Sequence, residues 1–537
     1  MLSLKKTIFF LISLLLIASL VISCGNNSSN SPGENTGTVN SSDNQTSQPQ
    51  TDTTSTIDTK DITLTYWVPM HSQAVKILQN YGENEIYKKL EEITGIKIEF
   101  LHPASGQETE QLNLIIASKD LPDIIESFSY TGGLDKAIED SIIIQLNDLI
   151  DKYAPNYKAV RDSNADIAAE TMTDSGNIAA FYCIQNEEEP PWLGPMIRKD
   201  YLDELGLEIP QTIADWENVL RTFKDKGVEV PLYYNIDDWQ FTSSGAFVSA
   251  YGIGPEFYND NGQVKYGPIE PEYKDFIALM AKWYDEGLLD QDFASRDGNN
   301  TESMILNGDI AAWVGAYESF DYYENLAKSS NPNFKLAPAP HPSLNEDKTV
   351  NFRQKNYYNK GTTAVITTAC KYPEEAVKWF DYHYSKEGAI LFNWGIEGVS
   401  YEIVDGKPQF TDLITDNPDG LSYITLAHKY KLHMGPYLRD YKAFLMTDTI
   451  YEAMDVWGEA GSAQVLPMTT MTLEESKEYS SIMSDINTYI AENRIKFVMG
   501  VEPMEKFDDF VEQIKKMNIQ RAIEIQQAAL DRYNKRK

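Results

Sequence analysis

Apolar and polar positions change period repeatedly along this chain. Residues 62–68 (Ile-Thr-Leu-Thr-Tyr-Trp-Val) alternate and are rich in β-branched and aromatic side chains, which predicts a strand. Ile86, Leu90 and Ile93 recur at helical spacing and predict a helix near 86–93 that Gly95 closes. Residues 96–100 alternate again, a helix is expected over 108–118, and Leu121-Pro122-Asp123-Ile124-Ile125 begins a third strand. Strand, helix, strand, helix, strand at these lengths is a parallel α/β unit.

Further on, the stripes are helical and clearer. Thr212 with Asp215 three residues later predicts a capped helix whose apolar side is Trp216, Val219, Leu220 and Phe223. Pro271 starts another, carrying Tyr273, Phe276, Ile277, Met280 and Tyr284, and Pro373 starts a third with Ala376, Val377, Phe380 and Tyr384. The aromatics of these helices sit at core spacing, so packing is their expected role. Prolines at 338, 340 and 342 predict an extended segment, residues 361–367 a strand, and 505–533 mainly amphipathic helix.

The N-terminus has a different pattern. Lys5 and Lys6 precede an apolar run over 8–20, too short and wrongly flanked for a retained membrane helix. The run closes at Ser23-Cys24, which resembles a bacterial lipobox and implies that Cys24 becomes the acylated first residue. Residues 25–56 are almost all Asn, Ser, Thr, Gln, Gly and Asp, with Val39 the sole aliphatic residue, so a flexible tether is expected. Such a chain reaches about 30 Å. Residues 1–23 are therefore read as a signal peptide and 24–60 as lipidated cysteine plus tether.

Composition narrows the function classes. With 537 residues, two or more lobes are expected rather than one core. A net charge of −35 would repel nucleic acid and anionic lipid. Beyond Cys24 only Cys183 and Cys370 remain; a disulfide is open to them outside the cell, but both sit beside apolar residues and buried free thiols are expected. Six histidines lack metal-ligand spacing, and no P-loop or dinucleotide-binding turn is present, so neither metal nor cofactor is expected. Aromatics make up 12% of the chain. Most belong to cores, yet several fall in polar, loop-like contexts where a ring can stack on a sugar.

Several pieces together resemble the family 1 extracellular solute-binding proteins of carbohydrate ABC transporters, in their large Gram-positive lipoprotein form. They are Glu92-Ile93-Thr94-Gly95-Ile96, Asp120-Leu121-Pro122-Asp123-Ile124-Ile125, Ile197-Arg198-Lys199-Asp200-Tyr201-Leu202-Asp203, Trp283-Tyr284-Asp285-Glu286-Gly287-Leu288 and Asp531-Arg532-Tyr533. The most specific is Asn393-Trp394-Gly395-Ile396-Glu397-Gly398-Val399-Ser400-Tyr401, followed by Asp405-Gly406-Lys407-Pro408. The resemblance spans nearly everything from Asp61 onward. It implies a two-lobed α/β fold of the periplasmic-binding-protein type (type II), with a ligand cleft between lobes. The expected division is 61–178 and 357–410 in lobe 1, and 179–356 and 411–537 in lobe 2 and the C-terminal helices.

It also implies binding without catalysis: a monomer, lipid-anchored on the outer face of the cell membrane, that closes on an oligosaccharide and passes it to permease subunits of an ABC importer. Candidate binding residues are Trp67, at the ligand-facing end of the first strand, and Tyr130 after the third. Trp394, Glu397 and Tyr401 flank two glycines, and Glu397 is equally open to a turn-stabilising role. Asp405-Gly406 reads as a tight hairpin turn. From the other lobe come Trp192, Trp239 and Arg198, the last also able to anchor the start of a helix at 199–205, with Trp313 and Tyr317 in reserve. Trp239 and Trp394 lead. Alginate-binding relatives carry an oxygen-rich calcium loop where this chain has only Asp225-Lys226-Gly227-Val228-Glu229, so calcium is not expected there. The same relatives use basic residues near the first strand, where this chain has Trp67-Val68-Pro69-Met70-His71-Ser72-Gln73, which weakens the case for an acidic sugar. The alternatives are the same fold holding a peptide or other small solute, a tethered glycoside hydrolase with paired carboxylates, and an adhesin with a vestigial cleft.

Overall fold

The computed structural model describes residues 62–537 except 297, 348, 418, 420, 433, 434 and 444–446. The signal, Cys24 and the tether lie outside the described residues. Strands in chain order are β1 (Thr63–Trp67), β2 (Lys97–Leu101), β3 (Ile124–Glu126), β4 (Phe181–Gln185), β5 (Leu193–Arg198), β6 (Val230–Tyr233), β7 (Phe257–Asp260), β8 (Gln263–Tyr266), β9 (Ile310–Ala316), β10 (Leu336–Pro338), β11 (Asn359–Ile366), β12 (Tyr401–Val404), β13 (Lys407–Phe410) and β14 (Leu438–Arg439).

Two sheets carry the architecture. The first runs β14-β4-β11-β3-β1-β2, the second β10-β5-β9-β6, and β7–β8 and β12–β13 are separate hairpins. The expected parallel α/β start is present: β1 lies parallel to β2 and to β3, with helices Glu85–Thr94 and Glu108–Ser118 between them. Gly95 ends the first helix at φ 71°, a left-handed conformation that a residue with a Cβ adopts at a penalty. Each sheet sits in its own core, Leu64, Ile124, Phe181 and Phe380 among others in lobe 1, and Leu232, Trp216, Phe276 and Ile486 in lobe 2. A chain this long divides its burial in this way.

Two boundaries are corrected. β4, placed by sequence in lobe 2, pairs with β11 in the lobe-1 sheet; its five residues are all buried and show no alternation, because a central strand is covered on both faces. The return to lobe 1 extends beyond 410, since helix Tyr423–Tyr430 packs on helix Glu85–Thr94 and β14 pairs with β4. The chain thus passes between the two sheets three times, between β4 and β5, between β10 and β11, and after β14. The last helix, Ile519–Arg536, packs in lobe 2 and returns to lobe 1, where the Tyr533 hydroxyl donates to Asp166 (2.7 Å) and Arg532 to Asp174 (2.9 Å).

The Thr212–Asp215 capping box and the helix from Pro271 form as expected. Asp405 (φ 50°) and Gly406 (φ 77°) join β12 to β13 with both central residues left-handed, as a two-residue hairpin turn demands. Cys183 and Cys370 are free thiols, and burial pushes that of Cys183 up to about 12.

Candidate ligand-binding site

All three crossings leave lobe 1 from one edge of its sheet: the end of β4, the start of β11 and the end of β14. β3 runs antiparallel to β11, so β1 and β3 end at that same edge. The carboxyl ends of strands in open α/β sheets are where ligands bind. A cavity of about 480 Å³ lies there, lined by Met70, His71, Tyr81, Tyr87, Glu126 and His428 among others.

Its frame is tightly bonded. His102 receives the Tyr81 N–H on Nε2 (3.1 Å), so its proton is on Nδ1 and is donated to the Val68 carbonyl (2.8 Å). The Tyr81 hydroxyl accepts from His71 N (3.1 Å). Asn84 caps helix Glu85–Thr94 through Ile86 N (2.7 Å) while its amide donates to the His428 carbonyl (2.7 Å), fixing helix Tyr423–Tyr430 on its neighbour. The His428 ring then stacks on that of His71, centroids 4.7 Å apart.

Glu126, the last residue of β3, is the cavity's buried carboxyl. Tyr66 donates to its Oε2 (2.5 Å), and burial raises the group to about 7 against that bond, which lowers it. A buried carboxyl in a cleft, shifted to near neutrality, marks a functional candidate.

On lobe 2 the corresponding edge is formed by the start of β5 and the ends of β6 and β9. Trp192 precedes β5, and its ring lies 5.9 Å from that of Trp239, which opens helix Trp239–Ser244 and is 55% exposed. Asp238 caps that helix through Phe241 N (2.9 Å). Trp192 is fixed by its N–H to Gln354 (3.0 Å) and its carbonyl to Tyr317 N (3.0 Å). It also lines a cavity of about 460 Å³ beside the second crossing, with Thr242, Gln354 and Tyr357.

An ion cluster ties the crossings together. Glu189 of the first, 4% exposed, accepts from Lys360 at the start of β11 (2.6 Å) and from Arg439 at the end of β14 (3.0 Å). Lys360 also donates to Asn356 (2.9 Å), whose amide donates to the Pro190 carbonyl (2.7 Å).

The remaining candidates separate. Trp67 is 4% exposed and packed in the lobe-1 core, so its position at a strand end does not free its ring. Arg198 ends β5 at the edge of lobe 2 away from the crossings; 1% exposed, it forks onto Asp200 (2.8 and 2.6 Å) between the rings of Tyr201 and Phe334. It anchors the start of helix Lys199–Leu205, the second role open to it from sequence. Trp313 is 5% exposed and packs edge-on to Tyr323. Tyr130 bonds Asp140 (2.7 Å), and Tyr317 follows β9, half-buried at the facing edge. Trp394 lies 4.8 Å from Phe410 and 6.5 Å from Tyr401, on helix Lys386–Trp394; Tyr401 is buried, and Glu397 is exposed in the turn between. The structure therefore brings together Trp192, Trp239 and Tyr317 as one group and Trp394 and Tyr401 as another. Glu126, His71, Tyr81 and His428 were not singled out from sequence. Glu126 had a signal: a carboxylate directly after the buried run Ile124-Ile125, at a parallel strand's carboxyl end.

Two lobes, three crossings and a strand-end edge on each lobe are the arrangement of a two-lobed solute-binding protein. The chain belongs to the bacterial extracellular solute-binding protein family, whose model matches residues 72–390, more than half its length. It is 25% identical over 494 residues to the fructooligosaccharide ABC transporter substrate-binding protein FusA of Streptococcus pneumoniae, covering 85% of this chain and 88% of that one. The solved alginate-binding protein AlgQ2 without calcium ion superposes with a TM-score of 0.65 at 25% identity, over 88% of this chain and 98% of AlgQ2. A solute-binding protein of Bifidobacterium longum infantis described as binding HMO shares the fold, with a TM-score of 0.73 at 18% identity over 88% and 99% of the two chains.

Proposed function

We propose that this protein is a lipid-tethered, extracellular binding component of an ABC importer that captures an oligosaccharide between its lobes and carries out no chemistry on it. The observation that carries this reading is the half-exposed Trp239, backed by Trp192, on one facing edge, with a cavity floored by a carboxyl on the edge of the other lobe. An aromatic face and a hydroxyl-accepting carboxyl are the two things a sugar ring needs. The name of the relative FusA, which specifies fructooligosaccharides, supports a carbohydrate ligand. A ligand that touches both lobes stabilises the closed arrangement, which is the form a permease can distinguish.

Trp239→Ala is expected to weaken oligosaccharide binding by on the order of 1–3 kcal/mol, the increment known for base–aromatic stacking. Its melting temperature should stay within a degree or two of wild type, because the ring is largely outside the core. Titration of intrinsic fluorescence measures the first and a thermal melt the second. Equal affinities would remove Trp239 from the site. Cys24→Ser should move the protein from the membrane fraction to the medium with sugar affinity unchanged; retention in the membrane would contradict the lipid anchor.

A further inference from the structure

The lobe-1 cavity has a chemical bias. Glu126 and Glu108 are among its lining residues, and among the described residues no lysine or arginine lines it. Glu126 spends Oε2 on the Tyr66 hydroxyl, and the residue, 8% exposed, lines the cavity. A carboxylate has acceptor capacity for more than one donor, so a ligand's hydroxyl can be taken there. His428 stacks with His71 and Tyr81, and all three rings are among the residues that line the cavity. At about 480 Å³ the space is within the range of small-molecule sites.

We infer that this cavity is a subsite for an uncharged sugar ring, in which Glu126 accepts a ring hydroxyl and turns acidic sugars away. The inference rests on the oligosaccharide reading above and gives the ligand its class. A uronate placed there would face two carboxyl groups and, among the described lining side chains, no cation other than a protonated histidine, an arrangement that selects by repulsion when Glu126 is ionised.

The same geometry couples binding to protonation. Only the ionised carboxyl is acceptor-only, and burial holds Glu126 near pH 7. The titratable groups acting on it are Tyr66 of β1, Tyr81, Tyr87 of helix Glu85–Thr94 and Cys183 of β4, and the cavity adds His71, His428 and Glu108. Among the described residues, none of the groups acting on it is a cation that would hold it ionised. A sugar hydroxyl favours the ionised form, so binding releases a proton and affinity rises with pH. If only the ionised form binds, the affinity for a neutral oligosaccharide is about tenfold higher at pH 8 than at pH 6.

The test is calorimetric titration of the protein with neutral fructo-, malto- and xylo-oligosaccharides and with oligogalacturonates, at pH 6 and 8. The expected result is binding of a neutral sugar only, with that tenfold pH effect, and in Glu126→Gln weaker binding at pH 8 with the pH effect lost. Tyr66→Phe removes a donor that favours the ionised form, so it should bind the same sugar with the pH midpoint moved up. That variant decides the matter if Glu126→Gln does not fold. Tighter binding of an oligogalacturonate, or a pH effect that persists in Glu126→Gln or does not move in Tyr66→Phe, would overturn the inference and leave the oligosaccharide reading intact. Binding of neither sugar class would overturn both.

Discussion

Glu189→Ala should lower folding stability by about 3–5 kcal/mol, the penalty for removing one partner of a buried ion pair. Glu189 is 4% exposed and is the shared partner of Lys360 and Arg439, at 2.6 and 3.0 Å. Take it away and two cations are left in a poorly solvated place with their charges adjacent. Arg439 keeps its bond to Gln185 (2.6 Å) and Lys360 its bond to Asn356 (2.9 Å), so the loss is partly relieved but the repulsion is not. The three residues stand where the chain enters or leaves each crossing, which makes the effect more than a local one. Urea denaturation gives the stability, and small-angle scattering should show a broadened separation of the lobes. A loss under 1 kcal/mol would mean that water reaches the cluster and screens it as at a surface.

Trp457→Ala should cost about 3–5 kcal/mol, as large-to-small changes of buried aromatics do. Trp457 lies on helix Asp448–Gly458, the first element after the third crossing, and is fully buried against the lobe-2 sheet. Its indole N–H donates to the Pro195 carbonyl (3.0 Å), and the ring rests on Gly194, where a Cβ would come within 2.5 Å of it. The glycine in β5 is therefore a seat for the indole. Loss of the ring leaves a cavity and removes one of two donors from the Pro195 carbonyl, which keeps the Ala339 N–H (2.9 Å), and the third crossing loses its mooring in lobe 2. Thermal melts measure the stability, and amide exchange over 440–458 should quicken in the variant. A melt within two degrees of wild type would mean that the helix finds another seat.

What could be seen in the sequence, and what could not, follows from how each element is covered. β1 and β2 have partly exposed faces and alternate, so their period of two was visible. β4 is covered on both sides and has no period, and a lobe boundary was misplaced beside it. Helix Leu473–Val498 went unread although Thr472 and Glu475 form the same capping box as Thr212 and Asp215; its inward residues, Met483, Ile486 and Ile490, are sparse on a long polar surface. The site divided along similar lines. Trp192 and Trp239 stand out as tryptophans in loop-like sequence, off the apolar stripes of the helices. Trp67 was placed at the right edge, but a residue's height along a strand does not say which way its ring points. Glu126 and His428 come together from positions 302 apart in the chain, and no local pattern reports such a meeting.

The central claim is that a sugar is bound and left unaltered. Its most direct test is a thermal-shift screen of residues 58–537 against neutral and acidic oligosaccharides, with each sugar recovered afterwards and its mass compared. A ligand at 100 times its dissociation constant should add about 2.7 kcal/mol to the folded state, a shift easily seen in a melt. The expected result is such a shift for a neutral oligosaccharide that is recovered intact. A flat response across the panel, or a sugar recovered in shorter pieces, would contradict it.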